Sequence, residues 1–126
     1  MRRRDSFSHG PGCYHCSTVP LNPVFDGSNI WVPTNNNSVT VVRINDGQVL
    51  ATLTGNGLNG PNQVAFDGEL ILVTNLSGDS VSLWKATDLT PIGTFSTGAN
   101  TGPWGACSDG INFWITLLNT NQLARF

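Results

Sequence analysis

The chain has 126 residues, of which only 11% are charged and 39% are hydrophobic, and its net charge is −2. Three of its six basic residues stand together at positions 2–4, so the remainder lacks the clustered Lys and Arg that nucleic-acid binding needs. We therefore expect no nucleic-acid partner. No run approaches the ~20 apolar residues of a membrane span. No signal peptide is recognised either, because the segment after position 4 is polar, and the compartment stays open.

Residues 1–18 are predicted to be an irregular tail outside the repeat that follows. They contain Cys13, His15 and Cys16, which form a C-x-x-C pair with an adjacent histidine. Zinc usually needs two such pairs, and a redox C-x-x-C needs a βαβ context. The sequence offers neither, so we expect no metal and no cofactor. The odd number of cysteines, three, also argues against a disulfide framework.

A repeat begins at about residue 19. Asp-Gly recurs at positions 26–27, 67–68 and 109–110, so the aspartates are 41 and 42 residues apart. A proline stands six residues before each aspartate, at positions 20, 61 and 103. The predicted units are 19–60, 61–102 and 103–126. By this alignment the third unit stops within its third strand.

Each unit contains short apolar runs separated by turn residues. After the Asp-Gly turns, strands are predicted at 30–32, 39–42, 49–53, 71–73, 81–84, 92–95, 113–115 and 123–126. Gly and Asp tolerate the positive φ of hairpin turns, and no segment has helical periodicity. Four strands in roughly 40–45 residues are typical of a β-propeller blade. The predicted fold is therefore all-β, with about two and a half blades of four antiparallel strands.

Apolar residues within the units are predicted to pack between blades. The run 71–73 lacks the alternation of a sheet with one wet face, which fits a blade covered on both faces. Trp31, Trp84 and Trp114 occupy apolar strand positions, so core or inter-blade packing is expected for them. Trp104 follows a proline near a loop and is the best candidate for an exposed tryptophan. Cys107 is expected to be a small buried residue.

Connectivity predicts a candidate ligand-binding face. In a four-stranded antiparallel blade, the loop between the second and third strands lies at the same end as the loop to the next blade. Polar side chains collect in these loops, and could bind a sugar or a peptide through hydrogen bonds. Asn also favours turns on its own account. The candidate residues are Asn35, Asn36, Asn37, Asn56, Asn59, Asn75, Asp79, Asn100 and Trp104.

Acidic residues that recur once per unit have a structural interpretation. Asp26, Asp67 and Asp109 each stand directly before a glycine, where a calcium or catalytic role could be considered. A residue needed in every repeat is better explained by the cap of a turn. We therefore predict turn capping for these three aspartates.

The pattern Pro-x-x-x-x-Phe-Asp-Gly-x-x-Ile-Trp-Val, followed by an Asn-rich turn and a Val-rich strand, resembles YVTN/NHL-type bacterial propeller repeats. The resemblance covers roughly residues 19–126 and is clearest over 66–84 and 102–126. Similar repeats occur in YncE-like proteins and, more distantly, in the streptogramin lyase group. The resemblance implies a propeller fold and families that are often exported. It is weak for activity, because this repeat serves many functions.

The lyase resemblance would imply a His/Glu acid–base set and a divalent metal. Both histidines, His9 and His15, precede the repeat, and no position within it carries that set. We therefore expect a protein that is not an enzyme. The leading hypothesis is an interaction or scaffold module that binds protein or carbohydrate on its Asn-rich face. The alternatives are a fragment of a lyase- or lactonase-like propeller that lacks its catalytic blades, and a purely structural array.

Propellers typically close with 4–8 blades. Two full units and a partial third would leave a blade face and strand edges unprotected, which favours self-association. We expect the ring to be closed either by self-association or by missing blades of a longer protein.

Overall fold

A computed structural model describes residues 19–126 as three antiparallel sheets. Residues 9, 13, 15 and 16, considered above, lie outside the described part. Sheet I contains β1 (Val24–Phe25), β2 (Asn29–Thr34), β3 (Ser38–Arg43) and β4 (Val49–Leu53). Sheet II contains β5 (Pro61–Phe66), β6 (Leu70–Asn75), β7 (Ser80–Lys85) and β8 (Pro91–Ser96). Sheet III contains β9 (Pro103–Ser108), β10 (Phe113–Leu117) and β11 (Gln122–Arg125).

The prediction of an all-β fold with four-stranded antiparallel units is confirmed. Within residues 19–126, the helical content is one 3₁₀ turn at Leu118–Thr120. No helix in that range is long and apolar enough to cross a membrane. The first strand of sheet I is short because Pro20 and Pro23 lack the N–H that a ladder needs. Pro20 still pairs with Thr34 as an isolated bridge.

The three sheets meet along their first strands. β1 lies beside β5, and β5 lies beside β9, whereas the outer strands β4 and β8 belong to no such pair. Asn22 forms a parallel bridge with Gln63, so successive first strands run in the same direction. The sheets therefore diverge from an inner edge, as the blades of a propeller do.

Two apolar clusters hold adjacent sheets together. We call the face of a sheet toward the preceding sheet its front, and the opposite face its back. The back of sheet I and the front of sheet II share the cluster Trp31, Val39, Val41, Val64, Ile71, Val73, Trp84 and Ala86. The back of sheet II and the front of sheet III share Ala65, Leu72, Val81, Leu83, Phe113, Ile115 and Leu117. The core is thus formed between the sheets.

Sheet II is buried on both of its faces, as the sequence predicted. The strand β6 is buried from Ile71 through Asn75, and β7 is buried from Ser80 through Trp84. Trp31 and Trp84 meet across the first junction, with ring centroids 6.5 Å apart and planes tilted by 52°. A tilted pair of this kind adds favourable aromatic contact to the burial itself.

The strand register repeats from sheet to sheet, and it defines two rows of paired residues. The back rows are Val24–Trp31–Val41, Ala65–Leu72–Leu83 and Cys107–Trp114–Arg125. The front rows begin with Phe25–Ile30–Val42, Phe66–Ile71–Trp84 and Ser108–Phe113. Phe126 continues the third front row, because its backbone exchanges hydrogen bonds with Phe113. Position in the unit therefore determines which junction a side chain faces.

Two expectations about sheet III need correction or refinement. Cys107 is exposed, so the prediction that it is buried is wrong. It occupies the back-row position of Ala65, but no described residue covers the back of sheet III. Trp114 is only half-buried for the same reason, whereas Trp31 and Trp84 are fully buried. Trp104 is exposed, as expected, with 46% of its surface accessible.

Replacement of Trp84 tests the contribution of the first junction. We expect Trp84→Ala to lower the free energy of unfolding by about 3–5 kcal/mol, because a fully buried indole leaves a cavity. Trp104→Ala removes the same side chain from an exposed site and is expected to cost less than about 1 kcal/mol. Urea unfolding followed by circular dichroism at one fixed protein concentration measures both. Equal losses would contradict the proposed core.

Candidate functional site

The polar loops predicted to share one end of the sheets are joined there by hydrogen bonds. The Asn37 Oδ1 atom accepts the Gly60 N–H at 2.8 Å. The Asp79 carboxylate accepts the Gly102 N–H at 3.0 Å and the Asn100 N–H at 2.8 Å. Each bond links a loop after the second strand to the segment that begins the next sheet. We call them rim bonds, and we call this end of the sheets, formed by loops 35–37, 54–60, 76–79 and 97–102, the Asn-rich face.

The rim bonds depend on left-handed backbone at the acceptor residue. Asn37, Asp79 and Asn121 occupy the same unit position and have φ values of 62°, 50° and 56°. Asn and Asp tolerate this conformation better than most side chains, which explains their presence there. The Gly102 and Asn100 N–H groups lower the pKa of Asp79, because they stabilise its charged form.

Several candidate side chains bind the protein's own backbone and neighbours. Asn75 is fully buried: its Oδ1 accepts the Asn59 N–H at 3.2 Å, and its Nδ2 donates to Ser80 and Ser82. The Asn56 amide donates to the Leu83 carbonyl at 2.9 Å. A ligand on the surface cannot reach Asn75, whose side chain makes three hydrogen bonds, and Asn56 uses one of its amide hydrogens for the Leu83 carbonyl.

Asn35 and Asn36 are exposed, but the side-chain oxygen of each accepts hydrogen bonds within the protein. The Asn35 Oδ1 accepts the Val19 N–H at 3.2 Å. The Asn36 Oδ1 accepts from the Thr34 and Ser38 hydroxyls at 2.6 and 2.7 Å. Their amide nitrogens remain available to a ligand, as does that of Asn37, because none of the three donates to another described residue.

Three candidates present side chains without hydrogen bonds to other described residues. Asn59 and Asn100 are exposed and lie in the loops that precede sheets II and III. Trp104 lies at the start of β9, four residues after Asn100. The structure thus divides the predicted set into amides that fasten the fold and a smaller group at the surface.

The position of Trp104 is fixed through its backbone. The Trp104 carbonyl accepts from the Asn62 amide at 3.0 Å and from the Thr74 hydroxyl at 2.9 Å, both from sheet II. The exposed indole therefore projects from a segment held at two points. Sequence reasoning missed Asn62, although it stands at the unit position of Trp104, directly after the repeated proline.

The repeated aspartates cap the turns at the opposite end of the sheets, as predicted. The Asp109 Oδ1 accepts the Ile111 and Asn112 N–H groups, each at 2.8 Å, and its Oδ2 accepts the Trp114 indole N–H at 2.8 Å. The Asn112 backbone, the Trp114 indole and the Ile111 backbone lower the pKa of Asp109 to about 2. The sequence signal for the indole bond, a tryptophan five residues after the aspartate, was missed.

The same cap occurs in the other two sheets with one difference. Asp26 binds two turn N–H groups and the Trp31 indole, the latter at 2.7 Å. Asp67 binds the Glu69 and Leu70 N–H groups, but Leu72 replaces the tryptophan. These carboxylates are therefore committed to the turns.

A shallow cleft of about 240 Å³ lies between sheets I and II beside the aspartate turns. Its walls include Asp26, Phe66 and Thr87. The Asp26 carboxylate there is already bound to its turn and to Trp31. Residues 19–126 contain no group of three His, Cys, Asp or Glu side chains that could hold a metal ion.

No known family model matches the chain, and no curated protein sequence matches it. Solved structures are similar in fold. Virginiamycin B lyase from Staphylococcus aureus is 15% identical with a TM-score of 0.66, and the match covers 85% of this chain and 40% of that one. The WD40 β-propeller domain of Doa1 is 16% identical with a TM-score of 0.70, over 91% of this chain and 38% of that one.

Dihydro-heme d1 dehydrogenase NirN is 20% identical with a TM-score of 0.74, and the match covers 89% of this chain and 26% of that one. The chain thus spans 26–40% of the length of these three structures. They include enzymes and a WD40 domain, so the likeness identifies the architecture. The described residues form part of a β-propeller-like fold.

Replacement of Asn75 and Asn59 separates the structural amides from the surface ones. Asn75→Ala is expected to lower the free energy of unfolding by about 2 kcal/mol or more, because a buried backbone N–H and two hydroxyls lose a partner. Asn59→Ala should cost less than about 0.5 kcal/mol, since only its backbone is bonded. Denaturant unfolding of both variants measures the two losses of unfolding free energy. Similar losses would contradict the division into structural and surface amides.

Acid titration tests the aspartate caps. The folded pKa of Asp109, about 2, is below its usual 3.8, so its stabilisation is present above pH 3.8 and is lost as the pH falls toward 2. Asp109→Asn should therefore be less stable than wild type at pH 7, with a gap that narrows between pH 4 and 2. Asp67→Asn removes a cap that has no indole partner and should cost less stability at pH 7 than Asp109→Asn does. A gap independent of pH would refute this linkage.

Proposed function

We propose that this chain is a non-catalytic interaction module of the YVTN/NHL repeat type that binds a neutral ligand on its Asn-rich face. The observation that carries the proposal is the exposed indole of Trp104, whose backbone carbonyl is held by two hydrogen bonds from sheet II and which follows the exposed Asn100 by four residues. An indole face and side-chain amides together suit a ligand with both apolar and hydroxyl-rich surfaces.

Carbohydrate is the favoured ligand class, with protein as the other. The one carboxylate of the Asn-rich face, that of Asp79, accepts two backbone N–H groups. The described chain has three basic residues, and Arg43 is paired with Asp46 at 2.6 Å. A surface with so little available charge favours a neutral partner, for which aromatic stacking and amide hydrogen bonds supply the binding energy.

The non-catalytic part of the proposal rests on how the acidic side chains are used. General acid–base catalysis at neutral pH needs a group whose pKa lies near the working pH. Asp109 has a pKa of about 2 and accepts three hydrogen bonds from its turn and the Trp114 indole, and the Gly102 and Asn100 N–H groups lower the pKa of Asp79. These groups are poor bases and act as acceptors for the backbone.

The test is a titration of isotope-labelled protein with two neutral probes, chitotetraose and cellotetraose, followed by NMR. The Trp104 indole and the Asn59 and Asn100 side-chain amide signals should shift. Trp104→Ala should weaken binding by about 10-fold or more, because a stacking anchor dominates a small site. Ile111→Ala is the control, since Ile111 is 86% exposed in an aspartate turn at the other end. Equal losses in both variants, or shifts confined to the turn end, would contradict the proposal.

The competing proposal is a piece of a lyase- or lactonase-like propeller whose catalytic blades lie outside this chain. It rests on the repeat resemblance over residues 66–84 and 102–126. In-frame flanking sequence that encodes further repeats carrying His and Glu would favour it over the interaction module.

A further inference from the structure

The back of sheet III is a sheet face that no described residue covers. Its back row carries Trp114 and Cys107. The residues equivalent to Trp114 are Trp31 and Leu72, and those equivalent to Cys107 are Val24 and Ala65. In sheets I and II these residues are covered by the following sheet. Trp114 is half-buried, Cys107 is exposed, and Leu123, at the position of the buried Val81, is 62% exposed. The other two sheets show what covers such a face: the front of another sheet.

At this face, the residue equivalent to the rim-bond acceptors lacks a donor among the described residues. Asn37 and Asp79 accept an N–H from the residue before Pro61 and Pro103. Asn121 has the same left-handed backbone, with φ of 56°, and accepts no hydrogen bond from a described residue. Its side chain is thus preset for an N–H group from a further sheet.

The front of sheet I is the complementary face. It carries Phe25, Ile30, Val32, Val42 and Ile44, which are equivalent to the front residues of sheet II around Ile71 and Trp84. Phe25 is 49% exposed and Ile44 is 54% exposed, whereas Ala86, the equivalent of Ile44, is buried at the first junction. The backbone hydrogen bonds Ile44 N–Ser28 O and Ala86 N–Glu69 O establish that equivalence.

We propose that the back of sheet III docks on the front of sheet I of a second copy of this chain. The side-chain sizes support this occupant. At the first junction a back-row tryptophan, Trp31, shares a cluster with a front-row isoleucine, Ile71. A second copy would place Ile30 opposite Trp114, which is the same combination.

Closure of the ring favours two copies. Residues 19–126 of two copies supply six sheets, which lies within the roughly 4–8 blades of closed propellers, and those of three copies would supply nine. A head-to-tail contact that closes after two copies forms two identical junctions and covers both open faces of each chain. Arg125 is the one charged member of the back row, and its alkyl stem can lie along the apolar face while its guanidinium remains in water.

Sedimentation equilibrium of the full chain across the micromolar range tests this proposal. The expected result is a dimer. Leu123→Glu on the back and Ile44→Glu on the front should each raise the dimer Kd by about 100-fold or more, because each would bury an unpaired carboxylate. Ile92→Glu is the control, since Ile92 is 45% exposed on the outermost strand of sheet II, outside both faces. Circular dichroism of each variant checks that the sheets remain folded.

A mixture of the two variants distinguishes a head-to-tail contact from other arrangements. The Leu123→Glu copy retains its front and the Ile44→Glu copy retains its back, so an equimolar mixture should recover one junction and form a dimer that neither variant forms alone. A monomeric wild-type chain would overturn the proposal and leave these faces to further blades of another partner. Dissociation by Leu123→Glu alone, with Ile44→Glu unaffected, would also overturn it, because the copies would then meet back to back.

Discussion

Packing between adjacent sheets supplies most of the burial in this protein, because a single sheet of four short strands has no second layer of its own. Sheet II illustrates the requirement: β6 and β7 are buried almost throughout, with apolar residues on both faces. Sheets I and III each have one covered face and one that the described residues leave open. Burial, exposure and the identity of the core residues all follow from that arrangement, as expected for stacked repeats that contact only their neighbours.

Polar residues at the two ends of the sheets hold this stack in register. At one end, aspartates close each turn and, in sheets I and III, also anchor the indole that packs in the back row. At the other end, Asn37 and Asp79 connect successive sheets through backbone N–H groups. The same end carries the exposed side chains of Asn59, Asn100 and Trp104, so a binding surface and the structural bonds share one set of loops.

The sequence was sufficient for the fold because its period, turn residues and apolar runs all point to the same four-stranded unit. It was less informative about the Asn-rich face. An asparagine at a turn looks the same in the sequence whether it is exposed, like Asn59, or buried, like Asn75. The hydrogen-bond partner determines whether the side chain is structural, and for Asn75 that partner lies 16 residues away on the loop before β5. Cys107 was misjudged because unit position predicts burial only where a following sheet is present.

The residues at equivalent positions differ in size from junction to junction, and the sizes of the two facing residues change in opposite directions. The first junction combines the large Trp31 with Ile71, and the second combines the smaller Leu72 with the larger Phe113. The units are therefore not interchangeable parts. A tandem duplicate of the second unit would set Leu72 against another Ile71 and leave a void. In the opposite mismatch, a back-row tryptophan such as Trp31 placed against Phe113 would be overpacked. Any lengthening of this array by duplication would require a compensating change on the facing sheet.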